Sequence, residues 1–464
     1  MTNLSGANLN NGAAVGPQGE AMYSPITFAA YPAYKDSGVE WLGIVPEHWG
    51  VSPLKWLVEQ VTDKATTSDF QVGLENIEGW TGRFIETDTE FAGDGIAFRK
   101  EDILFGKLRP YLAKVWLAGK SGQAVGDFFV LRPRAVNSAF LHKYILTPAV
   151  IEGLNASTIG AKMPRVGWED MAALAVTLPT HKEKAQIIRF LDHETARIDA
   201  LIGEQQRLIE LLKEKRQAVI SQVVTKGLDP TVPMKDSGEE WLGEVPAHWE
   251  RKRLKNISPF ITVGIVVNPS DYVAEEGLPF IYGGEVKEGL IEVDKARKIT
   301  LQDSLRNRKT MLEAGDIVTM RVGYPGLTAV VPPECEGGNC ASVMLVKRGG
   351  FDSRWLCAVM NSRVVRQQVE VVQYGAAQKQ FNIADAIEFW MFKPPLNEQA
   401  AIAEFVEEQS SIFDDLTAES ENSMVLLQER RIALISAAVT GKIDVRGWQP
   451  PASAPTPEFA QEAV

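Results

Sequence analysis

Two segments of the chain carry apolar residues at the spacing of an α-helix. In residues 183–229 the apolar positions recur every three or four residues, and in residues 398–444 they do so again. These positions are Ile187, Leu191, Ile198, Leu201, Leu208, Leu212 and Val219 in the first segment, and Ile402, Val406, Phe413, Leu416, Leu427 and Leu434 in the second. A helix of about 40 residues extends about 60 Å at 1.5 Å per residue. We predict two long helices whose apolar seams contact each other as an antiparallel coiled coil.

The two predicted helices are copies of one another. They align without a gap at a constant offset of 215, which pairs Asp199 with Asp414 and Arg216 with Arg431. A surface loop would tolerate insertions, so the gap-free match indicates that the helix length itself matters. Polar residues interrupt both seams at matching places, where they would set register and partner choice. These residues are Glu194, Gln205 and Lys215, matched by Gln409, Ser420 and Arg430.

A shorter motif is repeated as well. The segment Lys35-Asp-Ser-Gly-Val-Glu-Trp-Leu-Gly-Ile-Val-Pro-Glu-His-Trp49 recurs as Lys235-Asp-Ser-Gly-Glu-Glu-Trp-Leu-Gly-Glu-Val-Pro-Ala-His-Trp249, at an offset of 200 and with twelve of fifteen positions identical. Chance does not produce a match of this length, and we call the segment the Trp-Leu-Gly motif. A repeat at a fixed period indicates a structural unit that occurs twice.

Two blocks of unlike sequence follow the two copies of this motif. They cover residues 51–178 and 251–392, and both mix strand and helix signals. We predict strands at residues 102–108 and 316–322, strand-and-turn pieces at 73–79 and 280–286, and helices at 141–154 and 354–371. The blocks differ while the segments around them are nearly identical. This pattern indicates one plan that presents two different surfaces.

The predicted fold class is α/β in its α+β form. It consists of two globular mixed domains joined by two long antiparallel coiled-coil helices, with a pseudo-two-fold internal repeat. A length of 464 residues is sufficient for such an arrangement. The predicted boundaries are a disordered N-terminal tail at 1–30, a first domain at 31–182, a first long helix at 183–229, a second domain at 230–397, a second long helix at 398–444 and a disordered C-terminal tail at 445–464.

The net charge of −12 argues at first against a nucleic-acid binder, because contacts to phosphate need lysine and arginine. Residues 398–444 alone, however, hold ten acidic and three basic residues. The negative charge is therefore concentrated in one helical segment and the flanks rather than in the globular blocks, and a nucleic-acid function is not excluded.

The sequence lacks the features of a secreted or membrane protein. It has no run of about 18 apolar residues, and its N-terminus has no basic region followed by an apolar core. Three cysteines, Cys335, Cys340 and Cys357, are too few for a disulfide framework or a zinc site, so we predict free thiols. We expect a cytoplasmic protein that uses no cofactor, no metal and no membrane.

Catalytic motifs were sought and the matches are weak. Asn268-Pro-Ser-Asp-Tyr272 approaches the motif of adenine methyltransferases but lacks its second proline and has no glycine-rich loop before it. Asp271, Glu285 and Lys287 have the spacing of a Mg²⁺-dependent nuclease, a pattern that is common by chance. There is no nucleotide-binding Gly-Lys-Ser/Thr loop. His48 and His248 lie beside tryptophans within the repeat, and we interpret them as packing residues.

The ends of the two long helices carry short motifs that resemble those of a known protein family. The second helix begins with Pro394-Pro-Leu-Asn-Glu-Gln399 and ends with Ile435-Ser-Ala-Ala-Val-Thr-Gly-Lys-Ile-Asp444. The first copy departs at Lys184, where the pattern has Gln, and exchanges Gly and Lys near its end. These segments and the Trp-Leu-Gly motif resemble the specificity subunits of bacterial type I restriction–modification enzymes, over about residues 34–448.

The resemblance implies a DNA-reading subunit without catalytic activity of its own. Each block would be a target-recognition domain that reads one half of a split site on double-stranded DNA. The helices would hold the two domains apart and bind methyltransferase subunits, and a separate motor–nuclease subunit would join for cleavage.

Basic residues near strand turns, with polar or aromatic neighbours, are the candidates for DNA contact. Arginine and glutamine can bind guanine and adenine edges with two hydrogen bonds each, whereas lysine mostly contacts phosphate. The candidates are Lys107, Arg109, Tyr111, Lys114, Lys162 and Arg165 in the first block, and Arg306, Arg308, Lys309, Arg321, Tyr324, Gln378, Lys379 and Gln380 in the second.

Three other interpretations stay open at this point. The chain could be an orphan DNA-binding adaptor that pairs with something other than a modification enzyme. It could be a nuclease built around Asp271, Glu285 and Lys287, which a Mg²⁺-dependent cleavage assay would detect. It could also be a structural coiled-coil adaptor without a DNA role, although two unlike globular blocks disfavour that interpretation.

Overall fold

The computed structural model describes residues 28–65, 70–89, 91, 93, 95–160, 162–376 and 378–450. The chain divides into two compact units. Unit 1 comprises Met1–Glu204 together with Ser423–Val464, and unit 2 comprises Gln205–Asn422. Each unit therefore contains one globular block and one part of each long helix.

Unit 1 is built around a four-stranded antiparallel sheet and a smaller three-stranded sheet. Its strands are β1 (Tyr34–Asp36), β2 (Ile44–Pro46), β3 (Gly50–Pro53), β4 (Val58–Val61), β5 (Gln71–Val72), β6 (Ile96–Phe98), β7 (Ile103–Gly106), β8 (Val115–Leu117), β9 (Gly122–Ala124), β10 (Phe128–Pro133) and β11 (Ala175–Leu178). Its helices are α1 (Ser138–Ile145), α2 (Pro148–Ala156), α3 (Trp168–Ala173) and the long α4 (His181–Lys226), which continues into unit 2. The larger sheet has the order β4-β10-β7-β8 and the smaller one β5-β9-β6, while β1 pairs with β2 and β3 with β11.

Unit 2 repeats this plan with different residues, apart from the strand order of its smaller sheet. Its strands are β12 (Met234–Asp236), β13 (Glu244–Pro246), β14 (Glu250–Arg253), β15 (Ile261–Val263), β16 (Leu278–Ile281), β17 (Arg297–Ile299), β18 (Ile317–Thr319), β19 (Thr328–Val330), β20 (Asn339–Cys340), β21 (Met344–Val346) and β22 (Trp390–Lys393). Its helices are α5 (Leu301–Arg306), α6 (Ser353–Asn361), α7 (Arg363–Val372), α8 (Ile383–Ala386) and the long α9 (Leu396–Val439), which continues into unit 1. The sheets have the orders β15-β21-β18-β19 and β17-β16-β20, with the pairs β12-β13 and β14-β22.

The same buried ion pair anchors the larger sheet of each unit. Asp102 precedes β7 and receives two hydrogen bonds from Arg132 on β10, at 3.0 and 2.8 Å. Asp316 precedes β18 and receives one from Lys347, just after β21, at 2.7 Å. Both aspartates are almost fully buried, so each needs a cationic partner to offset its desolvation. The predicted strands at 102–108 and 316–322 are confirmed in their central residues.

Each long helix is tied at its start to the Trp-Leu-Gly motif. His48 Nε2 lies 2.7 Å from Glu183 Oε1, and the buried indole of Trp49 donates to the same oxygen at 3.4 Å. In unit 2, His248 Nε2 lies 2.7 Å from Glu398 Oε1, and the indole of Trp249 donates to the other oxygen, Oε2, at 2.9 Å. Both histidines are exposed, and each contributes a hydrogen bond to the helix start rather than a buried, packed ring.

The long helices are antiparallel neighbours within each unit. In unit 1, Arg431 Nε lies 3.2 Å from Asp199 Oδ1. In unit 2, Arg216 Nε lies 3.9 Å from Asp414 Oδ1. The helices contain 46 and 44 residues, begin two residues before the predicted ranges and end three to five residues before the predicted ends. Gly227 and Gly441 follow the two ends with φ values of +73° and +74°, the left-handed conformation that terminates helices.

Part of the predicted apolar seam is wrong. Ile187, Leu191 and Ile198 are buried as expected, but Leu201, Leu208 and Leu416 are more than 40% exposed. The side chains buried in the later part of α4 include Ile209 and Ile220 instead. The spacing of three and four residues admits two neighbouring stripes, and the globular blocks, which also cover the helices, decide which stripe is buried.

Two predicted helices are each divided in two. The helix predicted at 141–154 is interrupted at Thr147, because Pro148 begins a new helix and lacks the N–H that would continue the old one. The helix predicted at 354–371 is interrupted at Ser362, whose hydroxyl donates to the carbonyl of Val359 at 2.7 Å. The piece predicted at 280–286 holds the end of β16 and a 3₁₀ turn, whereas the piece at 73–79 holds only a 3₁₀ turn, because the strand before it ends at Val72.

The tails were predicted to be disordered, and most of both lie outside the described residues. The parts that are described pack into unit 1, contrary to the prediction. Ala29 forms a β-bridge with Asp444, and Val445 is 1% exposed. The ring of Trp448 lies edge-on to Phe190, with ring centroids 5.2 Å apart. Across the part of the chain that the structure describes, no helix combines the length and apolar character needed to cross a membrane.

Candidate nucleic-acid interface

Two loops meet at one end of the larger sheet in unit 1. The first follows β7, and the second connects α2 to α3. Their backbones are joined by hydrogen bonds from Arg109 N to Pro164 O at 2.8 Å and from Val166 N to Lys107 O at 3.1 Å. The second loop closes on itself as a hairpin through reciprocal bonds between Ile159 and Arg165 at 3.0 and 3.1 Å. We call residues 107–112 with 158–166 the first tip.

Unit 2 builds the same arrangement from different residues. Gly323 N donates to Lys379 O at 3.0 Å, and Phe381 N donates to Arg321 O at 3.2 Å. The hairpin is closed by reciprocal bonds between Tyr374 and Gln380 at 2.8 and 2.9 Å. We call residues 321–326 with 373–381 the second tip. The four backbone contacts match those of the first tip one for one, so the two tips share one backbone plan.

The hairpins of the two tips align at the offset of the long helices, 215 residues. Gly160 and Gly375 occupy the same turn with φ values of +103° and +102°, a conformation that disfavours other residues. Around this shared turn most side chains differ. The pairs are Ile159 with Tyr374, Met163 with Gln378, Pro164 with Lys379 and Arg165 with Gln380. Two tips with the same backbone but different side chains are suited to contact two different base sequences.

The first tip combines positive charge with exposed apolar residues. Arg165 donates to Asp127 from Nε at 3.0 Å and from Nη2 at 2.8 Å, and these bonds raise the pKa of its guanidinium. Lys107 approaches the same carboxylate at 3.7 Å. Tyr111 is half-exposed, and Ile159 is 81% exposed. Together these residues offer hydrogen-bond donors and an apolar contact of the kind that meets a thymine methyl group.

The second tip is richer in amides and aromatic rings. Gln378 and Lys379 are exposed and Gln380 is partly exposed, while Tyr324 is 76% exposed. Arg321 is partly buried, which lowers the pKa of its guanidinium, and its Nε donates to Phe381 O at 3.2 Å. Arg321 therefore holds the two loops of the second tip together in addition to contributing positive charge.

Most predicted DNA-contact residues lie on the two tips, and four lie elsewhere. Lys114 points away from the first tip, since its Nζ donates to Leu74 O at 2.6 Å. Arg306, Arg308 and Lys309 belong to α5 and the turn after it, and the carbonyl of the intervening Asn307 accepts from Asn339 on the three-stranded sheet. The remaining candidates on the tips include Arg109 and Lys162, which are both exposed.

The sequence prediction missed three features of the tips. Ile159 and Tyr374 were overlooked because exposed apolar side chains were not sought. Asp127, which orients Arg165, is distant in sequence. The repeated Gly-Ala pair at residues 160–161 and 375–376 was a readable signal, since it lies at the same offset of 215 as the long helices.

The residues of the alternative nuclease site do not form one. Glu285 accepts from the backbone N of Tyr282 at 2.8 Å and closes a 3₁₀ turn. Lys287 donates to Gly284 O at 2.9 Å. Asn76 closes the matching turn in unit 1 by accepting from Gly73 N at 2.9 Å, so this position is a turn cap in both units. Within the described ranges, no group of three or more His, Cys, Asp or Glu side chains could hold a metal ion.

The cysteines are free, as predicted, and buried. Burial raises the pKa of Cys335 to about 11 and the pKa values of Cys340 and Cys357 to about 12. Thiols held in this protonated form are poor nucleophiles and poor metal ligands. They fill the core of unit 2 and offer no reactive site.

Comparisons with known proteins agree with this architecture. No family model matches the chain. The specificity subunit of the type I restriction enzyme EcoBI of Escherichia coli is 22% identical over 382 residues, which cover 78% of each chain. The EcoKI specificity subunit of the same species is 21% identical over 450 residues, covering 88% of this chain and 91% of its own. A chain from a solved type I R-M system superimposes with a TM-score of 0.67 at 16% identity, over 85% of this chain and 98% of its own.

Proposed function

Because the chain belongs to the specificity subunits of type I restriction–modification enzymes, we propose that it reads a split DNA site with its two tips. The first tip reads one half of the site and the second tip reads the other. The chain is a DNA-recognition subunit and not an enzyme. Methylation and cleavage are directed by it and carried out by partner subunits.

The observation that carries this proposal is the repetition of one backbone with two sets of side chains. Four inter-loop backbone contacts recur in both units, while Arg165 is replaced by Gln380 and Ile159 by Tyr374. Arginine favours guanine and glutamine favours adenine, because each can form two hydrogen bonds to the edge of that base. Two tips with these side chains therefore prefer different base sequences.

The partners follow from the same proposal. They are double-stranded DNA, methyltransferase subunits and a motor–nuclease subunit, and the complex works in the cytoplasm. Exposed apolar residues on the long helices support the binding of protein partners, since such groups are costly to leave in water. They are Leu208, Leu211, Ile412 and Leu416 in unit 2, and Leu201, Val425 and Leu426 in unit 1.

Selection from a randomised DNA duplex library with the full-length chain tests the proposal. The recovered sequences are expected to contain two short conserved elements separated by a gap of constant length and variable sequence. The binding constant should fall steeply with salt, because phosphate contacts release counterions. Recovery of one continuous element, or of no conserved element, would contradict the proposal.

Measurement of methyl transfer and of Mg²⁺-dependent cleavage by the isolated chain tests the absence of catalysis. We expect neither activity until partner subunits are added. Labelled methyl groups on DNA incubated with the isolated chain would show that the assignment as a non-catalytic subunit is wrong.

A further inference from the structure

A second pair of equivalent turns connects each globular block to the long helices. In unit 1 the turn is closed by a β-bridge between Ile77 and Phe84, and in unit 2 by one between Val286 and Ile291. Each follows directly on the capped 3₁₀ turn of its block, the one closed by Asn76 or Glu285. We call residues 77–84 the first docking turn and residues 286–291 the second docking turn.

The first docking turn contacts both long helices through one carboxylate. Arg83 Nη2 lies 2.5 Å from Asp199 Oδ2 on α4. The other oxygen of Asp199 lies 3.2 Å from Arg431 Nε on α9. The side chain of Arg83 is 54% exposed, whereas Asp199 and Arg431 are 24% and 12% exposed. A partly buried interhelical ion pair thus receives a third charge from the globular block.

The second docking turn makes the corresponding contact with the opposite charge. Glu288 Oε1 lies 2.9 Å from Arg216 Nη1 on α4, and Oε2 lies 3.0 Å from Arg366 Nη2 on α7. Arg216 in turn lies 3.9 Å from Asp414 on α9. Asp414 and Arg216 are the repeat equivalents of Asp199 and Arg431, at the offset of 215. Both docking turns therefore contact equivalent interhelical ion pairs. The first docking turn contacts the aspartate of its pair, and the second contacts the arginine.

In unit 1 this contact lies well along α4 from the contact of the Trp-Leu-Gly motif, where His48 and Trp49 meet Glu183 near the start of the helix. Asp199 lies sixteen residues further along the same helix, which is about 24 Å at 1.5 Å per residue. The core of unit 1 also packs the block against α4, with Phe140 and Leu141 in the same cluster as Ile187, and Lys143 lies 2.9 Å from Asp192. The docking turn adds a charged contact further along α4, which helps to fix the angle of the block to the helix axis. In unit 2 the corresponding contacts are at Glu398 on α9 and at Arg216 on α4, with a further ion pair between Arg354 and Glu407 at 3.0 Å.

We infer that Arg83 and Glu288 are positioning residues that set the gap between the two half-sites. This inference rests on the proposed function. Neither residue belongs to a tip, so neither reads a base. Each instead helps to fix the angle at which its tip is presented, and a tip displaced along the DNA by about 3.4 Å, the rise of one base pair, would accept a gap that differs by one base pair. Loss of either contact is therefore expected to widen the accepted gap while the half-site sequences stay the same.

Methylation profiling of host genomes that carry Arg83→Ala or Glu288→Ala tests the inference in the assembled enzyme. Arg134→Ala and Glu388→Ala are matched controls, because they remove exposed ion pairs with Glu59 and with Arg253 that lie within a block and touch no long helix. We expect methylated sites whose gap is one base pair longer or shorter to increase about two- to fivefold in the two test variants, the range for a half-exposed ion pair. Both controls should keep the wild-type gap.

The conservative variant Arg83→Lys separates positioning from folding. It keeps the charge, so it should restore most of the wild-type gap selectivity, and it serves as the test variant where Arg83→Ala does not accumulate. An unchanged gap in both alanine variants would overturn the inference, as would altered half-site sequences or equal widening in the controls. A wild-type chain that directs no split-site methylation would overturn the proposed function itself, which is a separate and recognisable result.

Discussion

One glutamate near the start of each long helix, Glu183 or Glu398, binds the Trp-Leu-Gly motif and so stabilises the fold. Glu183 accepts from Thr180 N at 3.0 Å and from Thr180 Oγ1 at 2.7 Å, in addition to its contacts with His48 and Trp49. Burial raises the pKa of Glu183, but hydrogen bonds from Thr180, His48 and Trp49 outweigh that effect and leave the pKa below its usual value. The ionised form is therefore favoured in the folded state.

This lowered pKa predicts a loss of stability in acid. A carboxylate whose folded pKa is depressed stabilises the fold above its unfolded pKa, about 4.3, and that stabilisation disappears as the pH falls through the folded pKa. We expect Glu183→Gln to be less stable than wild type at pH 7, with the difference shrinking below about pH 4. Chemical unfolding at a series of pH values measures this, with the exposed Glu40→Gln as control. A difference that is independent of pH would contradict the explanation.

Side chains on the tips should affect single base positions. Gln380→Ala is expected to relax selection at one position of one half-site by about 5- to 100-fold, since a two-bond contact to a base contributes about 1–3 kcal/mol. Its neighbour Lys379→Ala should instead weaken binding to all sequences alike and reduce the salt dependence, as loss of a phosphate contact does. Library selection with both variants measures the difference. Relaxation in both half-sites after the Gln380 change would contradict local readout.

Sequence reasoning at the residue scale found the tips but not their internal contacts. Lys107, Arg109 and Arg165 were predicted from charge near turns, and all three lie on the first tip. Lys114 was predicted on the same grounds but is held by a carbonyl forty residues earlier in the chain. Charge and turn signals are local, whereas the direction of a side chain is decided by contacts that are distant in sequence.

Two glycines of the long helices should respond in opposite ways to replacement by alanine. Replacement of Gly441, which follows α9, should destabilise the fold, whereas replacement of Gly203, inside α4, should stabilise it. A Cβ on Gly441 would lie 2.4 Å from Pro46 Cδ and 3.0 Å from Trp49, at a φ of +74°. We expect Gly441→Ala to lower the free energy of unfolding of unit 1 by about 1–3 kcal/mol. A Cβ on Gly203 would meet nothing within 4 Å, so Gly203→Ala should be stabilising by about 0.5–1 kcal/mol.

Denaturant unfolding of the full chain compares these two substitutions directly, because both replace glycine by alanine. The sign of the effect is the decisive quantity. Equal destabilisation by both would show that the turn after α9 does not depend on its left-handed conformation and its contact with the Trp-Leu-Gly motif.

The spacing of apolar residues predicted some properties of the long helices but not others. Their existence and approximate bounds were predictable, because more than forty residues repeat the same spacing without a proline. The buried face was only partly predictable, since Ile209 is buried where Leu208 is exposed. Two unlike surfaces compete for each helix, its antiparallel neighbour and its globular block, and only the first can be inferred from the heptad pattern.

At the scale of the whole molecule, the internal repeat accounts for most of what could be foreseen. Two copies of one motif and two copies of one helix predicted two equivalent units. The strand order of the larger sheet and its buried ion pair recur in both, while the smaller sheets differ in strand order. The division of each long helix between the units was not foreseen. Because α4 and α9 are antiparallel, the end of α9 lies beside the start of α4 in unit 1. Unit 1 is therefore formed from two separate stretches of the sequence, whereas the predicted domains were each a single stretch.

If the two blocks read DNA independently, exchange of one block should alter only the half-site that this block reads. Residues 51–178 would be replaced by the corresponding block of a related specificity subunit, and the methylated sites in the host genome sequenced. One half of the recognised site should change while the other half stays the same, because base contacts are local to each tip. A reciprocal exchange of residues 251–392 should change only the other half. If either exchange altered both halves together, recognition would arise jointly from the two units, and the account of two independent readers would be wrong.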